Sequence, residues 1–372
     1  MHHRGVAVAQ APSPVTGLFD PLRLGALELA NRIVMAPMTR NRADEDGCAN
    51  ALMAAHYAQR ADAGLIIAEG TWPVAEGQSY SRQPGIATDA HVAAWRSVTD
   101  AVHTRGGRIV LQLMHGGRIG SSHIKPAGVA TLAPSAHPAG GSVWTDRAGM
   151  QAFDVPRAMT AQEVRAAITQ HAQAARRALA AGFDGVELHG TSGYLTLQFL
   201  YSGTNRRTDH WGGAAPARCR FAVECLGAMA AAIGADRVGL RLNPGNAYND
   251  ALDEDSAATH AELMRQLRPL GLAWLHVMRA PSAEIDAFAL ARANFGAPLI
   301  LNDGFDGASA VRALRDGLGE AVSFARHFIG NPDLVARLRT GAPLARFDRR
   351  TLYTPGAAGY NDYPSASATA LP

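Results

Sequence analysis

The sequence predicts an α/β fold: a single (β/α)8 TIM barrel with a long loop after its third strand. Two observations carry this reading. Eight short apolar runs alternate with longer amphipathic stretches along most of the chain, and polar residues recur where the apolar runs end. The 372 residues suit one barrel domain, and 47% apolar with 18% charged residues is enough to bury a large core.

The expected strands are Arg32–Ala36, Leu65–Ala68, Ile109–Leu113, Gly185–Leu188, Val238–Leu242, Trp274–Val277, Pro298–Leu301 and Ala321–Ala325. Helical spacing lies between them over Ala161–Ala181, Pro216–Ala232, Ala257–Leu270 and Ala308–Asp316. An open doubly wound sheet would produce the same alternation, because strand order is not written in one sequence. Two stretches break the pattern, Gly116–Arg157 and Leu195–Gly213, both after strand C-termini, where barrel enzymes build their active sites. Residues 1–17 read as a flexible N-terminal tail without the apolar run of a signal peptide, and 18–372 as the barrel domain.

Several function classes fall away on composition. The net charge is only +3 and the arginines are scattered, so no nucleic acid partner is expected. No apolar run is long enough to span a bilayer, so no membrane partner is expected either. Cys48, Cys219 and Cys225 form no CxxC pair, which argues against a disulfide framework or zinc site and for a reducing cytoplasm. The chain could be a monomer or a homo-oligomer. Lys125 is the only lysine and sits in a Pro-flanked loop, which disfavours Schiff-base chemistry.

The strand ends carry the chemistry. Buried strands have no packing reason to hold Gln112, Glu187, His189, Arg241, Asn243 or His276, yet these stand on predicted strands. Together at one barrel face they suggest a ligand site. Gly304 and Arg326, after the last two strands, suit a phosphate. Glu187, His189 and His276 are also metal-ligand types, but no HxH or HxxxH pair supports them and no metal is expected. From the residues alone, the site is a phosphate-bearing cofactor pocket with His and Tyr available for catalysis.

A set of motifs then resembles the Old Yellow Enzyme family: Asn31–Arg40 (NRIVMAPMTR), Leu111–Arg118 (LQLMHGGR), His189–Leu195 (HGTSGYL) with Gln198–Leu200 (QFL), and Thr204–Asp209 (TNRRTD). Val238–Leu242 (VGLRL), Arg326–Leu334 (RHFIGNPDL) and Gly359–Pro364 (GYNDYP) follow in order, so the resemblance covers nearly the whole chain. It implies noncovalently bound FMN, NADPH or NADH as reductant, and hydride transfer from flavin N5 to the β-carbon of an α,β-unsaturated carbonyl or nitro compound. It also implies that Pro37, Met38, Thr39 and Gly70 meet the flavin ring, that Gln112 and Arg241 meet its pyrimidine edge, and that Asp303, Gly304, Ala325 and Arg326 surround the phosphate. On the substrate side it implies a carbonyl-binding pair, His189 and Ser192, a proton donor, Tyr194, and a pocket lined by Tyr80, Met114 and Tyr360.

The sequence departs from the family at Ser192, usually His or Asn, and at Asp303 and Ala325, both usually glycine. Met114 replaces a common tryptophan, which should widen the pocket. These departures leave room for a relative specialised in a biosynthetic pathway, by isomerisation or selective reduction, or for a degenerate barrel that binds without turnover.

Overall fold

The structure is a computed structural model and describes residues 17–280 and 284–365. The expected tail therefore lies outside the described residues except for Gly17. Eight parallel strands close into a barrel: β1 (Ile33–Met35), β2 (Leu65–Thr71), β3 (Ile109–Leu113), β4 (Gly185–Gly190), β5 (Val238–Leu242), β6 (Trp274–Met278), β7 (Leu299–Asn302) and β8 (Ala321–Phe324). Each pairs with its neighbour in sequence, and β8 pairs with β1. That closure excludes the open doubly wound sheet.

Every residue of β2, β3, β4 and β5 is buried, as expected when helices cover one face of a parallel strand and the barrel interior the other. Local signals start the helices. Thr88, Thr160 and Asp306 each close a capping box with the residue three positions on, satisfying N–H groups the helix leaves bare. Two expected helices are shorter or broken. The stretch expected over Pro216–Ala232 is two helices, Ala215–Arg218 and Arg220–Ile233, where the buried Arg218 guanidinium is drawn to Leu200 O at 2.6 Å. The one expected to end at Leu270 ends at Leu267 and tightens into a 3-10 turn, because Pro269 has no N–H to continue the ladder.

The two barrel ends differ. A hairpin absent from the sequence reading, Leu22–Leu24 paired with Leu27–Leu29, closes the N-terminal end. Its Leu24, Leu27 and Leu29 pack with Val34, Leu65, Val110 and Trp274. Gly25 turns it at φ 56°, where a Cβ would stand 2.1 Å from Asp236 O. At the other end the long stretch after β3 is not one loop. It holds an antiparallel pair, Ser142–Thr145 with Gly149–Ala152, and the single lysine, Lys125, buried with Nζ donating to Thr131 Oγ1 at 2.8 Å.

The C-terminal segment folds back over this end. Arg42 donates to Leu352 O and Thr351 O, each at 2.7 Å, and Arg40 donates to Gly359 O at 2.8 Å. Tyr360 is fully buried, stacked on His56 at 3.9 Å between centroids, with the Arg40 and Arg42 guanidiniums over its ring. No described helix is long and apolar enough to cross a membrane.

Candidate active site

The C-terminal end of the barrel opens into a cleft of roughly 900 Å³. Pro37, Met38 and Thr39 enter it from just past β1, Gln112 from β3 and Met114 from just past it, and His189, Ser192 and Tyr194 from β4 and the turn after it. Arg241 of β5 and Ala325 and Arg326 beyond β8 complete the floor and one side, and Tyr80 closes over from the loop after β2.

Four of the expected residues are not among those lining the cleft. Tyr360 is the clearest correction: it anchors the returning C-terminal segment instead of lining a pocket. Leu352 and Tyr353 of the same segment reach the cleft in its place. At Gly70 a Cβ would stand 2.7 Å from Met114 Sδ, so any side chain there would displace Met114. Asp303 and Gly304 lie beside the cleft, both in the left-handed region at φ 84° and 75°. The aspartate there bears the strain a glycine would avoid. Its carbonyl accepts Arg279 Nη2 at 2.6 Å, and its carboxylate lies 3.5 Å from Arg326 Nη2.

Around His189 the proton positions follow from the partners. Thr191 N donates to His189 Nδ1 at 3.3 Å, so Nδ1 is the acceptor and Nε2 carries the hydrogen. Burial, followed by the charge of Arg241, holds the imidazole pKa down to about 3, so the ring is neutral. Ser192 sits at φ 58°, strained for a serine, and its hydroxyl donates to Thr191 Oγ1 at 3.2 Å. Its inward reach is thereby diverted onto Thr191, a residue the sequence reading passed over.

Tyr194 is buried edge-on to His189, with ring centroids 4.9 Å apart. Its hydroxyl is 2.6 Å from that of Tyr80. Burial, then Tyr80, keeps the Tyr194 phenol protonated far above its ordinary range, and Tyr80 is pushed up to about 12 by burial.

Beneath lies Arg241. Its Nη2 donates to Asn302 Oδ1 at 2.7 Å, while its Nε is buried without a partner. An unsatisfied buried donor beside an open cleft fits a ligand acceptor. Asn302 ends β7, and only the fold shows that it aims Arg241. Glu187 and His276 bond each other at 3.0 Å, and no group of His, Cys, Asp or Glu able to hold a metal occurs among the described residues. Trp144, Tyr248 and Tyr353 converge on the mouth from three separate segments, each more than half exposed. No local pattern marked them.

Comparison with known proteins returns consistent matches. The family model described as "NADH:flavin oxidoreductase / NADH oxidase family" matches residues 17–345. The chain is 42% identical over 366 residues to a probable flavin mononucleotide-dependent alkene reductase of Leishmania infantum, covering 96% of this chain and 100% of that one. Among solved structures, the Old Yellow Enzyme homologue from Zymomonas mobilis superposes with a TM-score of 0.90 at 40% identity, over 94% of this chain and 99% of that one. Morphinone reductase in complex with tetrahydroNAD does so with 0.91 at 40%, over 96% and 99%.

Proposed function

This chain belongs to the NADH:flavin oxidoreductase / NADH oxidase family, that of the Old Yellow Enzymes, and from that membership we propose that it reduces the C=C bond of α,β-unsaturated carbonyl or nitro compounds with Tyr194 as proton donor. As a member it is an NAD(P)H-dependent flavin oxidoreductase with FMN as its cofactor. The residues fit that group: the unpartnered Arg241 Nε, the Gln112 amide and the Arg326 guanidinium supply polar and cationic partners along one cleft. FMN held there would supply the hydride chemistry that links NAD(P)H oxidation to reduction of the substrate C=C bond.

The chain's own residues manage the charge and the proton. His189 Nε2–H donates to the substrate carbonyl or nitro oxygen and draws onto it the charge that develops as hydride adds. A neutral imidazole held by Thr191 does this without reorienting. Tyr194 delivers a proton to the α-carbon. Two hydroxyls 2.6 Å apart share one hydrogen, so with Tyr80 as donor the Tyr194 hydrogen is free to point into the cleft. Once Tyr194 has given up its proton, the Tyr80 hydroxyl is the neighbouring donor to the oxygen left behind. Ser192 contributes to carbonyl binding only by turning away from Thr191. Arg241 would meet the cofactor's pyrimidine edge and offset charge there, and Arg326 would hold its phosphate.

The observation that carries this reading is the trio His189, Tyr194 and Tyr80, with proton states set by burial, above Gln112 and Arg241. The test is anaerobic reduction of the flavin by NAD(P)H, then mixing with a panel of small enones and nitroalkenes. Rapid reoxidation with formation of the saturated product is the expected result. A flavin that NAD(P)H reduces but that none of these alkenes reoxidises would overturn the reading.

A further inference from the structure

Below the cleft, polar side chains from several strands meet inside the barrel. Glu187 of β4 is fully buried, and its carboxylate accepts Gln112 Nε2 at 2.9 Å, Trp274 Nε1 at 3.1 Å and His276 Nδ1 at 3.0 Å. His276 Nε2 lies 2.7 Å from Ser323 Oγ. The neighbouring strand is opened for this. Gly239 stands in register with Glu187, and a Cβ on it would sit 2.0 Å from Trp274 Cε2, so only glycine lets the indole reach across.

The proton inventory is determined by these contacts. Burial alone would push Glu187 up, but His276, Arg241 and the donated hydrogen bonds outweigh it, and the carboxyl lies below its usual range. Burial lowers His276, which is therefore neutral. It donates from Nδ1 to Glu187 and accepts from Ser323 at Nε2. Glu187 is then an ionised group that can only accept, surrounded by three neutral donors. Burying such a charge is costly, and apolar side chains could fill a barrel layer more cheaply.

Gln112 shares the strand register with Glu187 and also reaches the cleft. Facing an acceptor-only carboxylate, its amide must turn the NH2 group toward Glu187, because a flip would set lone pairs against lone pairs. The carbonyl oxygen is left as the group available to a ligand, beside the Arg241 donors.

We propose that Glu187 is a positioning residue that sets the hydrogen-bonding polarity of the cleft floor. By holding the Gln112 amide in one orientation it presents an acceptor next to a guanidinium. This pattern selects a ring edge with an N–H flanked by carbonyls, such as the imide edge of the isoalloxazine. The inference rests on the FMN reading and concerns what Glu187 adds to it.

The experiment titrates the apoprotein with FMN and with FMN methylated at the imide nitrogen. The wild type is expected to prefer FMN by about tenfold or more, the worth of one buried hydrogen bond whose loss strands its partner. Glu187→Gln is expected to weaken FMN binding about tenfold and to shrink the preference below about threefold. Glu187→Asp keeps the charge but withdraws it by a methylene, and should show the same loss, which covers the case in which Glu187→Gln does not fold. In a Gln112→Ala background neither change should cost further affinity, whereas a merely structural role would still cost. Wild-type affinity and preference retained in a folded Glu187 variant would overturn the proposal. Failure of the wild-type apoprotein to bind FMN would instead remove the flavin reading beneath it.

Discussion

Two corners of one cleft are built on opposite terms. His189 and Tyr194 are themselves buried: one imidazole nitrogen is occupied, the phenol is held protonated, and a second, half-buried tyrosine closes on it. Around Arg326 and Asp303 the charges are full but wet, the arginine side chain being 65% exposed and the pair 3.5 Å apart. A buried neutral group acts through direction and desolvation, which substitution removes outright. An exposed charge acts through a field that water and salt already weaken. The first corner should therefore respond to mutation by orders of magnitude and the second by small factors.

Tyr194→Phe should break the first corner most. Flavin reduction by NAD(P)H should persist, while reoxidation by enones should slow by about 10²–10⁴-fold, the usual worth of a general acid. Stopped-flow traces of both half-reactions measure this, and equal reoxidation rates would remove Tyr194 from the mechanism. His189→Ala comes next. Loss of a hydrogen bond to a charged oxygen, about 1.5–3 kcal/mol, should weaken phenolate ligands roughly 10- to 100-fold, and Ser192→Ala much less. Because His189 titrates near 3, the pH dependence of phenol binding above pH ~5 should follow the ligand's own ionisation. A histidine titration near neutrality in that profile would contradict the proton assignment.

The second corner gives the smaller effect. Asp303→Gly should raise FMN affinity a few-fold at low salt and by less at high salt, since the carboxylate it removes competes for Arg326 only while it is unscreened. It should also stabilise the fold by ~1 kcal/mol by relieving the positive φ. Unchanged FMN dissociation constants at low salt would mean the aspartate is electrostatically silent. The smallest effect is expected away from both corners. Tyr360 Oη is buried with no partner, so Tyr360→Phe should leave turnover unaltered and raise stability by up to ~1 kcal/mol in a denaturant titration. A fall in turnover would return Tyr360 to the substrate pocket.

How much of this was legible in the sequence follows from the range of each interaction. The eight strands were visible because a strand buried on both faces must be a continuous apolar run, and their order in the barrel agrees with that reading. The strand ends ran longer than expected at Gly190 and Thr71, since polar residues, His189 toward the cleft and Glu69 paired with Tyr57, interrupt the pattern without ending the ladder. The hairpin Leu22–Leu29 was missed because three-residue strands carry too little alternation to register. Most of the expected site residues line one cleft, yet Asn302 and Glu187 acquire their meaning only from partners on other strands, and Thr191 only from the turn that brings its N–H back onto His189. Tyr360 was misplaced for the same reason: its position depends on Arg40, Arg42 and His56, some 300 residues earlier.

The single lysine has a practical bearing. Lys125 is buried, its amine tied through Thr131 to Asp154, and the α-amino group is the only other amine in the chain. Acylating reagents applied to the folded protein should therefore spare Lys125 and leave at most one amine to label. A second label would report that the long segment after β3 had opened, so counting adducts by intact mass gives a direct clock for the breathing of the loop that borders the substrate cleft.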